Sequence, residues 1–260
     1  MTRVVLLSDF GTVDGYAATM AAVVASAAPS ALIEHAAHDI PAGDILTGAL
    51  TLSRYATLYP HGTVHLAVVD PGVGTWRRPI AATVDGRHYV GPDNGLFTRI
   101  LVGRQARIVD VRETGQGRGA SPTFHGRDIF APAAGHLAAG GALEDLGPAV
   151  ADPVVLDLAE PRRHGHLIGG EVIQVDRFGN LISNVPAGWI AGLSEGEGGA
   201  RVVIDGKDAG PVRRTYGDVA SGDVVALIGS LDLLEISVRD GSAAEFLDAG
   251  RGALLEVRAG

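Results

Sequence analysis

Apolar residues in the first half of the chain occur as short continuous runs, separated by polar turns and by segments with helical patterns. Such runs lie at residues 3–7 and 64–69, and runs of this kind are typical of strands buried on both faces. Residues 32–36 form a further predicted strand. Between them, Tyr16–Ala27 is rich in Ala and Val and is followed by Pro29, while residues 44–58 carry an apolar stripe behind Asp44, a candidate helix cap. The alternation predicts βαβ units in which the strand at Val64 runs parallel to the first.

The next segments continue this pattern. Residues 80–84 and 88–90 flank the dipeptide Asp85-Gly86, which favours a hairpin. A further strand is predicted at residues 107–111, and a helix is predicted over residues 123–140 with His125 at its start.

The pattern changes after about residue 145, where prolines and a polar run interrupt the periodicity. Short strands separated by turn residues then follow at residues 171–175, 180–184, 201–204, 212–215, 224–228, 233–238 and 254–257. The sequence therefore predicts an α/β N-terminal domain with a mainly parallel sheet at residues 1–160, and a smaller all-β, barrel-like domain at residues 167–260.

Composition narrows the possible functions. With a net charge of −9 and no long basic run among 260 residues, the chain does not resemble a nucleic-acid-binding protein, and we expect a small-molecule partner. It contains no cysteine, so disulfides and thiolate catalysis are excluded. The first apolar run meets Asp9 too early for a signal peptide, and no apolar run reaches the ~18 residues of a membrane span. We expect a cytoplasmic protein that does not enter a membrane.

The main candidate for chemistry follows the strand at Val64. Asp70 comes directly after this strand, and a Gly-rich turn then leads to Arg77 and Arg78. Ligands of open α/β sheets bind at the carboxyl ends of strands, where Asp70 is expected. A structural ion pair that braces the turn explains the same residues about equally well, and either arginine could face the site.

Three other segments carry candidate functional side chains. Asp9 and Asp14 follow the first strand, so Asp9 and Asp70 should share one edge of the sheet. His125 lies at a helix N-terminus, which favours the neutral imidazole that can accept a proton. In the second domain, Asp176, Phe178 and Asn180 cluster at one turn and suit a nucleobase, although Asx-type turn chemistry explains Asn180 equally well. The other histidines have no comparable context and are assigned no role.

Six motifs together resemble the S-adenosyl-L-methionine (SAM) hydroxide adenosyltransferase family, the SAM hydrolases related to the fluorinase and chlorinase enzymes. The motifs are SDFGTVDGY, VVDPGVGTWRR, GPDNGLF, FHGRDIFAP, VDRFGNLISN and GSLDLLEISVRDGSA. The resemblance implies an α/β domain, a C-terminal β-barrel, and a homotrimer with sites between subunits. It also implies hydrolysis of SAM to adenosine and L-methionine by a water that attacks C5′ of the ribose.

Residue roles follow from the same resemblance. The catalytic set of the hydrolases corresponds to Asp70, Arg77 and His125, all of which are present. The implied substrate-binding residues are Asp9 for the ribose, Asp14 and Asp176 for the methionine ammonium, Asn180 for the adenine, and Ser230 and Glu235 nearby. The final motif departs from the family at Leu231-Asp232 and Arg239.

The chemistry also accounts for these residue types, because the sulfonium substrate carries an activated leaving group and needs only an aligned, deprotonated water. No metal or cofactor is expected. Three alternatives stay open. A chlorinase-like halogenase is disfavoured by the intact set and by the lack of the extra fluorinase-type loop between Val90 and Thr123. A non-catalytic adenosine- or SAM-binding module is disfavoured by the same set, and a metal-dependent hydrolase using Asp9, Asp70, His125 and Asp128 lacks a recognised ligand spacing.

Overall fold

The computed structural model describes residues 1–111, 119–191, 193 and 199–259. The chain divides into two compact units, Met1–Leu156 and Asp157–Gly260. In the described residues no helix has the length and apolarity needed to cross a membrane.

The first unit is built on a mixed sheet of six strands among the described residues, in the order β2-β1-β3-β5-β4-β6. The strands are β1 (Arg3–Ser8), β2 (Leu32–Ala37), β3 (Val64–Val68), β4 (Pro79–Val84), β5 (Arg87–Pro92) and β6 (Ala106–Asp110). β2, β1, β3 and β5 pair in parallel, whereas β4 is antiparallel to both β5 and β6. The predicted parallel pairing of β1 with β3 and the hairpin at Asp85-Gly86 are both confirmed.

Helices cover both faces of this sheet. They are α1 (Tyr16–Ala27), α2 (Ile45–Tyr55), α3 (Thr98–Leu101) and α4 (Ala131–Ala138), with 3₁₀ turns at Ala56–Leu58 and Leu143–Leu146. One core joins Leu6 and Leu66 to α1 and α4, and the other joins Leu7 to α2 and α3, because alternate strand residues point to opposite faces. Asp44 caps α2 as predicted, since its side chain accepts from the amide of Thr47 at 3.0 Å.

The second unit is a closed, barrel-like sheet, and this confirms the predicted fold class. Its strands are β7 (Arg162–His164), β8 (Leu167–Val175), β9 (Leu181–Pro186), β10 (Ala200–Ile204), β11 (Lys207–Arg213), β12 (Val224–Ile228), β13 (Leu233–Val238) and β14 (Leu254–Ala259). Pairing of β14 with β8 closes the barrel, and β7 pairs antiparallel with the first residues of β8. Buried aliphatic side chains of the strands fill its core.

Several predicted boundaries differ from the structure. The strand expected at residues 212–215 is β11, which begins at Lys207 and ends at Arg213. Two short helices of the second unit, α5 (Ala187–Ala191) and α6 (Ala243–Leu247), and strand β7 were not predicted. The helix expected over residues 123–140 begins as a π-helical turn, Gly126–Phe130, and continues as α4.

Candidate active site

The loop between β3 and β4 holds the central pair of charged residues. After Asp70 the chain folds into two successive turns, in which Val73 N donates to Asp70 O at 3.2 Å and Thr75 N donates to Gly72 O at 3.1 Å. Gly74 has φ +77°, and a β-carbon there would lie 2.5 Å from the carbonyl oxygen of Pro122. Glycine at this position lets the loop approach the segment that leads to His125.

Asp70 and Arg77 form a buried ion pair. Nε of Arg77 donates to the two carboxylate oxygens of Asp70 at 2.9 and 3.0 Å, and Nη2 donates to Oδ2 as well. Their side chains are 4% and 8% exposed, respectively. Such a forked contact fixes the plane of the guanidinium. The remaining N–H groups of Arg77 therefore point in fixed directions.

His125 completes this constellation. Its Nδ1 lies 2.8 Å from Nη2 of Arg77, and since a guanidinium only donates, the imidazole nitrogen is the acceptor. The neutral ring therefore carries its proton on Nε2 in this arrangement. His125 directly precedes the π-helical turn, a rare geometry that is frequent at functional sites.

Arg77 retains one nitrogen, Nη1, for a further group. Its guanidinium lies over the ring of Phe130, 5.1 Å from the centroid. Nη1 is buried and has no hydrogen-bond partner within the described residues. A buried charged donor that lacks a partner is costly, so this atom is suited to hold an oxygen of a small molecule beside Asp70 and His125.

Arg78 has other partners than Asp70 and His125. Its Nε donates to buried Asp93 at 2.8 Å, and Nη1 donates to Asp152 at 2.8 Å. The amide of Val154 donates to the other oxygen of Asp93 at 2.7 Å. Arg78 therefore fastens the end of β5 and the chain at residues 152–154 and does not contribute to the constellation around Arg77.

Asp9 lies at the same edge of the sheet as Asp70, as predicted, because Ser8 at the end of β1 is paired with Val68 at the end of β3. Its Oδ2 accepts from the amide of Gly43 at 2.8 Å. Each carboxylate oxygen has two acceptor positions, so Asp9 keeps capacity for hydroxyl donors. Asp14 is exposed in the loop that precedes α1.

In the second unit, Asp176 and Asn180 form one turn. Oδ1 of Asp176 accepts from the amides of Phe178 and Asn180 at 2.8 and 3.0 Å, and Oδ2 accepts from Nδ2 of Asn180 at 3.0 Å. The Asx-type turn that was an alternative for Asn180 is therefore present, with Asp176 as its acceptor. Phe178 is 74% exposed at the tip.

Glu235 is the centre of a second polar group in this unit. Its Oε1 accepts from the hydroxyl of Tyr216 at 2.6 Å and from Ser237 at 2.9 Å, whereas Ser230 is exposed at the turn between β12 and β13. Burial, followed by the hydrogen bond to Glu235, raises the pKa of Tyr216 to about 12. The phenol is thus protonated near neutral pH and holds one oxygen of Glu235.

Metal binding finds little support in the geometry. Within the described ranges, no three His, Asp or Glu residues are grouped to hold an ion. Asp128, which the metal alternative required, accepts from Arg127 at 2.7 and 2.8 Å and from the amide of Ser121 at 2.9 Å. The contact with Arg127 holds the pKa of Asp128 below its usual value.

Sequence reasoning missed Phe130, Tyr216 and Ser237. Phe130 lies in the motif FHGRDIFAP, so the sequence marked its segment, although not its contact with Arg77. Tyr216 lies 19 residues before Glu235, outside every motif, and no local pattern indicated it.

These observations define a class: a two-domain protein with an α/β sheet, a β-barrel, and a buried Asp-Arg-His constellation at a strand end. The family model for the SAM hydroxide adenosyltransferase N-terminal domain matches residues 4–147, and that for the C-terminal domain matches residues 170–256. The chain belongs to the SAM hydroxide adenosyltransferase family.

Relatives cover nearly the whole chain. A protein of Thermus thermophilus named (R)-S-adenosyl-L-methionine hydrolase is 44% identical over 262 residues, covering 97% of this chain and 98% of its own. A protein of the same name from Salinispora tropica is 37% identical, covering 97% and 96%. Proteins named fluorinase are more distant, at 24–25% identity.

A solved structure has the same fold. The crystal structure of an uncharacterized conserved protein from Thermotoga maritima has a TM-score of 0.91 and 32% identity, and the match covers 98% of this chain and 99% of that one.

The two neighbouring arginines give a matched test of this geometry. Arg77→Lys keeps a cation beside Asp70 but loses the forked contact of Nε and Nη2 with the carboxylate. It also loses the contact with His125 and the free nitrogen Nη1. We expect turnover of SAM to fall by about 10²–10³-fold, as when a preorganised donor is removed, and the thermal midpoint to fall as well, because buried hydrogen bonds are lost. Steady-state kinetics and thermal unfolding measure both quantities.

Arg78→Lys is the control. It should keep near wild-type turnover and lose little stability, because the contact with exposed Asp152 is screened by solvent. If Arg78→Lys abolished turnover while Arg77→Lys preserved it, the site would be assigned to the wrong arginine.

Proposed function

We propose that this chain hydrolyses SAM to adenosine and L-methionine. The observation that carries the proposal is the buried guanidinium of Arg77, fixed by Asp70 and His125, with a donor left for an oxygen. Relatives that are 33–44% identical and named (R)-S-adenosyl-L-methionine hydrolase support the same substrate and reaction.

In this proposal, Nη1 of Arg77 binds the attacking water behind C5′ of the ribose. The positive charge stabilises the developing hydroxide, while the forked contact with Asp70 keeps the guanidinium in place. The oxygen forms a bond with C5′ as the C5′–S bond breaks, and the electron pair of that bond leaves with the sulfur of neutral methionine. Asp70 and Arg77 together carry no net charge, so the sulfonium is not repelled.

His125 takes the proton of the water. Its Nδ1 accepts from Nη2 of Arg77 before the reaction. As the hydroxide forms, the imidazole ring turns away from Nη2, whose direction is fixed by Asp70, and Nδ1 receives the water's proton. The nearby carboxylate of Asp70 offsets the charge of the imidazolium, which then returns its proton to solvent.

Substrate contacts extend to other predicted residues. Asp9 binds the ribose hydroxyls, Asp14 and Asp176 bind the methionine ammonium, Asn180 binds the adenine, and Ser230 and Glu235 lie near the substrate. Asp9 and Glu235 have carboxylates held by neighbours, which supports a positioning of their oxygens before substrate binds. Because sulfonium is already a good leaving group, the proposed reaction requires no metal or cofactor.

Isotope labelling tests the reaction directly. Purified protein incubated with SAM in H₂¹⁸O should produce adenosine that carries the label in its 5′-hydroxyl, together with unlabelled methionine, because water attacks C5′. Mass spectrometry of both products measures this outcome, and an Arg77→Lys sample is the matched background.

Other products would redirect the proposal. Formation of a 5′-halo-nucleoside in place of adenosine when chloride is present would favour the halogenase alternative. SAM binding without any turnover would favour the binding module, and loss of turnover with a chelator, restored by metal, would favour the metal-dependent hydrolase.

His125 should act on the chemical step and little on binding. We expect His125→Ala to lower kcat by roughly 10²–10⁴-fold, the usual range for a lost general base, with KM little changed. His136→Ala on α4 is the control, because its ring contacts the carbonyl of Ala142 at 3.1 Å, away from Arg77. Wild-type kcat in His125→Ala would assign proton removal to Asp70 or to solvent.

The proposal includes a homotrimer with sites shared between subunits, and a cytoplasmic location. Val13, Trp76 and Phe178 support the shared site, because they are 92%, 101% and 74% exposed and are neighbours of predicted site residues. Large apolar side chains on such loops are suited to a protein interface.

Mixed oligomers test the shared site. Asp70→Ala and Asn180→Ala chains, each inactive alone, should regain part of the activity when refolded together, because some interfaces combine two intact halves. A mixture of Asp70→Ala with Arg77→Ala is the control and should stay inactive, since both changes affect the same half. Lack of rescue in proven mixed trimers would contradict sharing.

A further inference from the structure

Two histidines outside the constellation around Arg77 form a hydrogen-bonded chain with Ser8. Nδ1 of His38 lies 2.7 Å from Oγ of Ser8, and Nε2 of His38 lies 2.7 Å from Nδ1 of His35. Ser8 is fully buried and His38 is 6% exposed, whereas His35 is exposed on β2. The chain thus connects the buried carboxyl end of β1 to the surface.

One arrangement of protons satisfies every contact in this chain and also gives the buried hydroxyl proton of Ser8 an acceptor. The amide of Phe10 donates to Oγ of Ser8 at 3.4 Å, and the Ser8 hydroxyl donates to Nδ1 of His38. His38 then carries its proton on Nε2 and donates it to His35. Burial, and then the neighbouring His35, lower the pKa of His38, and Asp39 opposes them, so the ring is the neutral acceptor that this arrangement requires.

The same histidine holds both sides of Asp9. Through Ser8 it reaches the amide of Phe10, and its own carbonyl accepts from the amide of Gly11 at 2.8 Å. The amide of Asp9 donates to Val68 O at 3.3 Å, and its carboxylate accepts from Gly43 at 2.8 Å. His38 therefore belongs to the small set of groups that fix where the Asp9 carboxylate lies.

We propose that His38 is a positioning residue that holds Asp9 ready for the ribose hydroxyls through its hydrogen bond to Ser8. This inference rests on the proposed function, in which Asp9 binds ribose. Preorganisation of a carboxylate lowers the entropy lost on binding, so the contribution of His38 is to substrate and product affinity and not to the chemical step.

Two amide substitutions separate this role from general packing. His38→Asn places an acceptor oxygen near the position of Nδ1 and keeps the bond to Ser8, but it cannot reach His35. His38→Gln extends toward His35 and removes the acceptor that Ser8 needs. Both remove the ring, so a difference between them reports the Ser8 contact.

We expect His38→Gln to raise KM for SAM by roughly 5- to 30-fold, the effect of one lost hydrogen bond, with kcat near wild type. The dissociation constant for adenosine, measured by calorimetry, should rise by the same factor. His38→Asn should restore both values to near wild type, and Ser8→Ala should behave like His38→Gln.

The chain offers a matched control in His88. Its Nδ1 lies 2.9 Å from the hydroxyl of Thr83 in the same sheet. This is also a histidine–hydroxyl pair, but it lies on β4 and β5, which do not pair with β1. His88→Gln should leave KM for SAM and the affinity for adenosine unchanged. Equal losses in His88→Gln and His38→Gln would show a general effect on the sheet and overturn the inference.

The outcomes distinguish the two proposals. If wild-type protein does not turn over SAM, the proposed function fails, and adenosine affinity alone then decides the role of His38. Equal adenosine affinity in wild type and His38→Gln, a fall in kcat without a change in KM, or no adenosine binding by wild type would each overturn the positioning role.

Discussion

The structure around the site depends on the buried pair of Asp70 and Arg77. Removing one partner from such a pair leaves an uncompensated charge and costs about 3–5 kcal/mol, so the two side chains hold each other and the turn between them. Phe130 and His125 then meet a guanidinium whose plane is already fixed. The π-helical turn carries Phe130 to this arginine, and His125 directly precedes the turn.

Much of the fold could be predicted because its signals are local. Continuous apolar runs identified β1 and β3, and the rules for parallel connections placed Asp9 and Asp70 at one edge of the sheet. The hairpin at Asp85-Gly86 and the cap at Asp44 depend on single residues with strong turn or capping preferences. The short helices α5 and α6 have only five residues each, too few for a periodic pattern to be recognised.

The sequence could place site residues together only where they lie within one contiguous motif. Asp70 and Arg77 are seven residues apart, whereas His125 is 48 residues beyond Arg77, and its assignment to the same site came from the resemblance. Arg78 is the same residue type as Arg77 and follows it directly, and only its contacts with Asp93 and Asp152, 15 and 74 residues away, separate their roles. The hydrogen bond from Tyr216 to Glu235 likewise joins residues 19 positions apart, on the turn before β12 and on β13.

The order of the strands has a consequence for the loop that carries Asp70 and Arg77. Because β5 lies between β3 and β4, the connection must cross two strand spacings, about 10 Å. The ten residues at 69–78 could span roughly 33 Å if extended. Most of this length is therefore a surplus over what the connection between the strands requires. That surplus is folded into the turns that bring the carboxylate and the guanidinium together. A relative with a shorter loop could therefore keep the entire sheet and still lack the means for this chemistry.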